Sequence, residues 1–357
     1  MNPRRRRLLQ AIAMALPGAA RGEAAYPGIG PGLAIAFPRD HGSHPDFRTE
    51  WWYVTGWTRD RQDRERGVQV TFFRSRPGVA EASASAFAPR ELLFAHAAVA
   101  DAAIGRLVHD QRAARAGLGL ASAAQGGTDV RLDRWSFVGD GDGWRATIDA
   151  REFALDLRFR PTQAPMLQGE RGLSRKGPRP EQASAYYSVP QLAIEGAISL
   201  RAEPHRVTGT AWFDHEWSSS YLAAEAAGWD WIGVNLDDGG ALMAFRIRGR
   251  DGASRWTGGG LRDAAGAIRR FAPDEVTFVP GRIWRSPRTG IAYPVTFEVR
   301  MGELAFAIAP LMDDQELDAR ASVGTIYWEG AVRALATERP LGRGYLELTG
   351  YGEPLRL

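Results

Sequence analysis

Residues 51–58 read Trp-Trp-Tyr-Val-Thr-Gly-Trp-Thr, a run of bulky β-forming side chains with no helical period. Such a run is typical of a strand, whose successive side chains point to opposite faces. Similar segments recur at 68–73, 155–159, 207–213, 242–247, 295–299 and 345–348. Clusters of Gly, Asp and Pro separate them, as in tight hairpins. At the usual spacing, about sixteen to twenty strands are expected. Without alternating helices, they predict an all-β antiparallel architecture.

The chain has 357 residues, with 12 Trp, 15 Phe and 9 Tyr but no Cys. This composition is too apolar for a disordered chain. The lack of Cys excludes disulfides, Cys-ligated metals and a thiolate nucleophile. At roughly 150 residues per domain, two domains are expected. The segment Gln168–Gln182 has the composition of an exposed connector, and Glu203-Pro204 is a second candidate. We predict the boundary near residue 203, with domains at 26–203 and 204–357.

The N-terminus has the pattern of an export signal. Arg4–Arg7 precede the apolar segment Leu8–Ala20, which is too short to span a bilayer. We therefore predict a signal peptide at 1–25, of the Sec or the twin-arginine type, and a periplasmic or secreted protein. Removing it takes away five Arg and one Glu, which leaves 40 basic and 41 acidic side chains. The remaining basic residues are dispersed, so no nucleic-acid partner is expected.

Glu50 opens a predicted strand and shares one face with Trp52, while Trp51 and Tyr53 share the other. A carboxylate beside large aromatic rings is a candidate acid of raised pKa. The alternative is that Glu50 accepts hydrogen bonds from an indole or from Arg48.

His41 and His44 lie in the loop before this strand. Together with Glu50 they form a candidate ligand set for zinc, but the sequence does not show the hydrogen-bonding groups that would orient these ligands. Histidines that hold turns explain the pattern better, so no metal is predicted.

The segment Trp212–Trp217 alternates in the same way. If it is extended, His215 shares one face with Phe213 and Trp217. Asp214 and Glu216 then lie on the opposite face with Trp212. Together with Trp229–Trp231 it places four Trp within 20 positions. Either these residues form an acidic and aromatic site, or the carboxylates cap a core by accepting indole N–H groups.

A third group, Asp313–Glu316 followed by Tyr327–Gly330, again sets carboxylates beside indole, although a solvated loop and a core strand explain it equally well. The sequence contains no G-x-S-x-G elbow, no H-E-x-x-H and no P-loop.

These strings together resemble the AttH family of secreted lipocalin-like proteins, which is related to carotenoid 1,2-hydratase and often labelled "predicted secreted hydrolase". They span residues 37–351 in the family's order. The strings are Asp40–Pro45, Glu50–Tyr53, Tyr186–Ser188, Asp214–Trp217, Gly228–Trp231, Tyr327–Gly330 and Glu347–Tyr351.

The resemblance implies a tandem pair of lipocalin-like antiparallel β-barrels that bind a hydrophobic, isoprenoid- or lipid-like small molecule without a cofactor. The hydratase branch of the family adds water to an isoprenoid double bond. Its His-x-Trp element corresponds to His215 and Trp217, and Asp214 and Asp230 are candidate acids. Its Tyr-x-Asp element has no counterpart in this sequence. The predicted ligand-binding residues are Glu50, Trp51, Trp52, Tyr53, Tyr187, Trp229, Trp231 and Trp328.

Three functions therefore remain open. The first is a hydratase or isomerase. The second is a non-catalytic periplasmic carrier or accessory protein of an ABC-type transporter, which the family association suggests. The third is a metal-dependent hydrolase that uses His41, His44 and Glu50.

Overall fold

The computed structural model describes residues 26–79, 81–337 and 339–355, so the export signal predicted at 1–25 lies outside the described residues. These residues form 25 strands and two short 3-10 turns, Arg39–His41 and Pro273–Glu275, with no α-helix among them. No helix in this part of the chain is long and apolar enough to cross a membrane. The all-β prediction is confirmed, although with more strands than the sequence pattern indicates.

The first antiparallel sheet has thirteen strands and forms a nearly closed barrel, the N-terminal barrel. Its strands are β1 (Thr49–Asp60), β2 (Glu65–Ser75), β3 (Leu92–Asp101), β4 (Arg106–Arg115), β5 (Ala121–Ala123), β6 (Asp129–Leu132), β7 (Trp135–Asp140), β8 (Gly143–Asp149), β9 (Phe153–Arg160), β10 (Met166–Leu167), β11 (Leu173–Arg175), β12 (Ala183–Leu200) and β13 (Glu203–Ser220). They lie in the order β4-β3-β2-β1-β13-β12-β9-β8-β7-β6-β5, with β10 and β11 beside β12. Contacts of β3 and β4 with β6 bring the two ends together.

The second antiparallel sheet has ten strands and forms the C-terminal barrel. Its strands are β14 (Ala226–Leu236), β15 (Ala241–Gly249), β16 (Ser254–Arg262), β17 (Ile268–Phe271), β18 (Val276–Pro280), β21 (Phe297–Met301), β22 (Leu304–Pro310), β23 (Glu316–Ala319), β24 (Thr325–Ala336) and β25 (Arg339–Leu348). The order is β17-β16-β15-β14-β25-β24-β22-β21-β18, with β23 beside β24, and β18 contacts β15 and β16. A separate hairpin pairs β19 (Ile283–Arg285) with β20 (Ala292–Pro294).

The predicted boundary near residue 203 lies inside the first sheet. Arg201 and Ala202 have φ values of 51° and 67° and form the two-residue turn between β12 and β13. Pro204 does not interrupt the ladder because proline is tolerated where a strand begins. The chain passes from one sheet to the other between Ser220 and Ala226.

Strand alternation divides the core into layers. On β1, Trp52 and Val54 lie in the core of the N-terminal barrel, whereas Tyr53 and Trp57 belong to a cluster between the two sheets. The faces predicted for β1 and β13 match these positions. Both faces of the inner strands are therefore buried, one in a barrel and one between the barrels.

The two barrels approach closely at Gly344 on β25. The Trp57 indole N–H, from the N-terminal barrel, donates to the Gly344 carbonyl at 2.9 Å. A Cβ at Gly344 would lie 1.9 Å from the Gly233 carbonyl oxygen of the neighbouring strand, and this backbone atom cannot move aside. Glycine is thus required here by the close approach of the strands.

We predict that Gly344→Ala lowers the free energy of unfolding by about 1–3 kcal/mol, the usual cost of overpacking a core. Urea unfolding followed by tryptophan fluorescence measures the change. Gly28→Ala is the matched control, because no atom lies within 4 Å of a Cβ built at Gly28. Equal midpoints for the two variants would contradict the packing described for Gly344.

Candidate functional site

A cavity of about 330 Å³ lies between the two barrels. This volume is within the range of small-molecule pockets, roughly 300–1,000 Å³. Strands β1, β2, β3, β12 and β13 supply one wall, and β14, β15, β24 and β25 supply the other. The aromatic side chains that line it include Trp51, Tyr53, Trp229, Trp231, Phe245 and Tyr327.

One wall carries a cross-strand row that we call the N-terminal row. Its members are direct neighbours on β3, β2, β1, β13 and β12, because the register pairs each with the next. In order they are His96, Thr71, Tyr53, Asp214 and Ser188. Pairs directly opposite in antiparallel strands have Cβ atoms roughly 4.5–5.5 Å apart, so this is a continuous polar strip.

The facing wall carries the C-terminal row, which runs across β15, β14, β25 and β24. Its members are Phe245, Trp231, Glu347 and Glu329. The two rows meet where the Tyr53 ring packs edge-on against Trp231, with ring centroids 5.4 Å apart. Polar groups from both barrels therefore converge on one aromatic space.

Asp214 is the carboxyl group of the N-terminal row. It accepts hydrogen bonds from Ser188 Oγ at 2.5 Å, from Trp212 Nε1 at 2.7 Å and from the Tyr186 hydroxyl at 2.7 Å. Burial raises its pKa to about 7, against the effect of these three donors and with the help of the nearby negative charge of Glu216. Asp214 therefore exists in both protonation states near neutral pH.

Tyr186 supplies the tyrosine partner of Asp214 that the sequence motif lacks. Its hydroxyl donates to Asp214 and accepts from the Trp231 indole at 3.0 Å, so it links the two barrels. The pair is formed across strands by residues 28 positions apart. A search for tyrosine two positions before an aspartate does not find such a pair.

Lys176 is the only lysine of the chain, and it lines the cavity. Its ammonium lies 2.9 Å from a carboxylate oxygen of Glu216, and both side chains are less than a tenth exposed. The same ammonium lies 4.4 Å from the centre of the Phe245 ring and 4.8 Å from that of Tyr186. Ion pairing and cation–π contact together hold this charge in the wall.

Glu329, which is buried, and Glu347, which is half-buried, carry carboxyl groups directly opposite each other on β24 and β25. The Trp229 indole donates to Glu347 at 2.8 Å. Burial raises the pKa of both groups, and repulsion from Glu347 raises that of Glu329 further. The sequence motifs contain both residues, but only the strand pairing shows that they form a unit.

Glu50 is buried and lies among groups of the N-terminal barrel, although it is also among the residues that border the cavity. One carboxylate oxygen lies 2.7 Å from His44 Nδ1 and 2.9 Å from His215 Nε2, and the other accepts from Arg74 Nε at 2.8 Å. Burial alone would raise the pKa of Glu50. The hydrogen bonds from His215 and His44 and the charge of Arg74 outweigh burial and hold the pKa well below its ordinary value.

The donor atoms of His44, Glu50 and His215 lie within 4.8 Å of one another, the spacing that a metal ion requires. These three atoms are already bonded to one another, because His44 Nδ1 and His215 Nε2 share the same Glu50 oxygen at 2.7 Å and 2.9 Å. Since Arg74 also balances the carboxylate, this set fits a structural network better than a metal centre. His41 is bonded instead to the Tyr187 hydroxyl at 2.7 Å.

Asp230 lies on the opposite face of β14 from Trp231, inside the C-terminal barrel. Its carboxylate accepts from Arg246 Nε at 2.5 Å and from Arg248 Nε at 2.8 Å. Two guanidinium groups neutralise it inside this barrel, and it does not line the cavity. Trp328 is buried in the same barrel.

The structure thus divides the predicted site residues into two groups. Of the four predicted catalytic residues, Asp214 lines the cavity, whereas His215 and Trp217 face the N-terminal barrel and Asp230 faces the C-terminal barrel. The predicted ligand-binding residues Glu50, Trp51, Tyr53, Trp229 and Trp231 border the cavity. Trp52, Tyr187 and Trp328 lie in the barrel cores, because alternation turns each away from its neighbours that line the cavity.

Fold and site define a two-barrel all-β protein with an aromatic, carboxyl-bearing cavity between the barrels. The family model described as AttH-like matches residues 29–351, and the chain belongs to that family. A crystal structure of an AttH-type protein from Nitrosomonas europaea is 53% identical, with a TM-score of 0.86, and the match covers 92% of this chain and 100% of that chain.

Two more distant structures share the fold. Kievitone hydratase from Nectria haematococca is 13% identical with a TM-score of 0.70, over 93% of this chain and 97% of its own. CghA is 14% identical with a TM-score of 0.54, over 93% of this chain and 96% of its own. A search of the curated proteins found no match.

We predict that Glu50→Gln lowers the free energy of unfolding at pH 7 by about 3–5 kcal/mol, because it leaves the buried Arg74 guanidinium without its carboxylate. Since the pKa of Glu50 is lowered in the folded state, this stabilisation is fully present above the unfolded pKa, about 4.3. It is lost as the pH falls towards the folded-state pKa. Denaturant titrations at pH 7 and at pH 4 measure the difference between the two proteins.

The control is Glu152→Gln, which removes an exposed pair with Arg106. It should change the free energy of unfolding by less than about 0.5 kcal/mol. A Glu50→Gln effect of the same size, or one that grows as the pH falls, would refute the buried charge network.

Proposed function

We propose that this AttH-like protein binds an isoprenoid- or lipid-like small molecule between its barrels and hydrates or isomerises a double bond by acid catalysis from Asp214. The observation that carries the proposal is the Asp214 carboxyl group, which is buried in an aromatic cavity and held by neutral donors alone. The hydratase among its structural neighbours supports the reaction type.

Asp214 acts first as an acid. Its protonated carboxyl transfers the proton to one carbon of the double bond and leaves a carbocation on the other. Such general acid catalysis contributes roughly 10²–10⁴ in rate. The hydroxyl groups of Tyr186 and Ser188 and the indole of Trp212 stabilise the resulting carboxylate.

The aromatic wall then stabilises the cation. A ring face contributes about 0.5–2 kcal/mol to a desolvated cation. Trp51, Tyr53, Trp229 and Trp231 supply such rings. Water adds to the cation, and the proton that it loses returns to the Asp214 carboxylate. In isomerisation, the same carboxylate removes a proton from a neighbouring carbon.

We predict that Asp214→Asn abolishes conversion. The assay incubates the protein with terminal isoprenoids, such as geraniol and farnesol, in ¹⁸O-labelled water and detects a labelled hydration product by mass spectrometry. In deuterated water, deuterium incorporation reports isomerisation. Full conversion by Asp214→Asn would contradict the role of Asp214, and near-ultraviolet circular dichroism confirms that the variant is folded.

The pH dependence gives a second prediction. Because the acid must be protonated and its pKa is raised to about 7, the rate is full well below pH 7 and falls about tenfold per pH unit above it. Glu216→Gln removes a negative charge that raises the pKa of Asp214, so the falling limb should move to lower pH. A limb that stays in place or moves to higher pH would contradict this assignment.

A second proposed function is that of a non-catalytic exported carrier, working as an accessory protein of an ABC-type transporter. The aromatic lining of the cavity favours it, because storage of a ligand requires only volume and apolar contact. Protein isolated from its native host should then contain an apolar ligand, detected by mass spectrometry of an organic extract, and should bind a membrane partner. If the extract contains no apolar ligand and the protein binds no membrane partner, the carrier role is contradicted.

A further inference from the structure

Besides Glu216 Oε1, which lies 2.9 Å from the Lys176 ammonium, two polar atoms that line the cavity lack a hydrogen bond of ordinary length within the protein. They are Oε1 of Glu329 and the hydroxyl oxygen of Tyr53. The two residues are only 2% and 6% exposed, so bulk water does not satisfy these atoms. A buried polar group without a partner is destabilising, and such groups in a native fold are candidates for binding a ligand.

The two atoms belong to facing walls. Tyr53 lies in the N-terminal row and Glu329 in the C-terminal row, and the phenol and the carboxyl approach each other closely enough for a weak mutual hydrogen bond, which a ligand oxygen between them would replace. Trp231 packs edge-on against Tyr53. The two polar atoms therefore flank one part of the aromatic space.

Glu329 acts there as a neutral donor. Like charges directly opposite on neighbouring strands are destabilising, and Glu347 is directly opposite Glu329. The groups around the pair are the phenols of Tyr53 and Tyr327 and, beyond Glu347, the charge of Glu216. No cation compensates Glu329 among these described neighbours. Burial and repulsion raise its pKa, and the protonated carboxyl carries an O–H that it can donate.

We propose that Tyr53 and Glu329 form an oxygen-binding subsite that holds a neutral carbonyl or phenolic oxygen of an otherwise apolar ligand. Both groups donate to a ligand carbonyl oxygen, whereas a phenolic ligand accepts from the Glu329 carboxyl and donates its own O–H to the Tyr53 oxygen. A phenol paired with a protonated carboxyl is a known arrangement for stabilising a carbonyl oxygen in an apolar site. The cations that border the cavity among the described residues, Lys176 and Arg74, are already paired with Glu216 and Glu50, so neither is free to hold an anionic ligand. This inference rests on the proposal that the cavity between the barrels is the ligand site.

The test compares 2-naphthol with naphthalene, two fluorescent probes that differ by one hydroxyl group. Titration of the protein with each probe should show that 2-naphthol binds about tenfold more tightly, as expected for two hydrogen bonds to a desolvated site. The anion 2-naphthoate should bind more weakly than 2-naphthol. Equal affinities for 2-naphthol and naphthalene, or tighter binding of the anion, would overturn the subsite.

Variants locate the effect. Tyr53→Phe and Glu329→Leu should each reduce the preference for 2-naphthol severalfold, while Glu329→Gln, which keeps an N–H donor, should retain most of it. Tyr221→Phe is the matched control for Tyr53→Phe, because the Tyr221 hydroxyl also lies at the cavity but is directed to the Thr49 carbonyl at 3.5 Å. A loss in this control as large as that in Tyr53→Phe would overturn the assignment.

The outcome separates the subsite from the proposed reaction. Asp214→Asn should keep the preference for 2-naphthol even where it stops conversion, since Asp214 is bonded to other residues. If the wild type shows the preference but converts no isoprenoid, the subsite stands and the reaction falls. If neither probe binds, the cavity is not the ligand site and the subsite falls with it.

Discussion

The burial of carboxyl groups between two β-sheets is the constraint on which the site depends. Asp214, Glu216, Glu329 and Glu347 all point into the space where the barrels meet. Each must be compensated there, because an isolated buried charge is too costly to keep. Of the two lysine or arginine side chains that border the cavity among the described residues, Lys176 pairs with Glu216 and Arg74 with Glu50. The other carboxyls must depend on neutral donors or on protonation.

This difference separates carboxyls that are paired with cations from carboxyls that are bonded to neutral donors. Glu50 and Asp230 are bonded to guanidinium groups in the barrel interiors, where they hold strands together. Asp214 is bonded only to hydroxyl and indole groups, and Glu347 only to an indole. Cations stabilise the charged form far more than neutral donors do, so the pKa of Glu50 is lowered, whereas burial raises the pKa of Asp214 and of Glu347 to about 7.

Sequence patterns predict the faces of individual strands but not their pairing. The alternation around Asp214 and Tyr53 correctly separates the side chains that line the cavity from those in the barrel core. The partners of Asp214 cannot be found in this way, because Tyr186 and Ser188 come from a strand that precedes it by more than 20 positions. His215 and Trp217 belong to the same motif, although they face a barrel core. A sequence motif contains residues from both faces of a strand, and only the position of the second sheet shows which face borders the cavity.

The strand pattern predicts two β-barrels, but the change from one barrel to the other lies further along the chain than the composition near residue 203 indicates. Glu203-Pro204 has the composition of a linker, yet it lies in a hairpin of two 18-residue strands. Strand β13 is hydrogen-bonded to β12 on one side and to β1 on the other, so the segment 203–220 is an inner strand of the first sheet and not a linker. Asp214 therefore belongs to the N-terminal barrel, while the opposing carboxyl pair belongs to the C-terminal barrel. The site is complete only when both barrels are folded and in contact.

The geometry also limits the ligand that the proposed acid can serve. Tyr53 and Asp214 are direct neighbours in the N-terminal row, so their Cβ atoms lie roughly 4.5–5.5 Å apart. A ligand oxygen held at Tyr53 and Glu329 and a double bond protonated by Asp214 therefore lie in the same part of the cavity. A ligand that meets both must carry an oxygen as well as a double bond within that space. The arrangement of the two rows thus favours an oxygen-bearing substrate, and it makes an unfunctionalised hydrocarbon a poor fit.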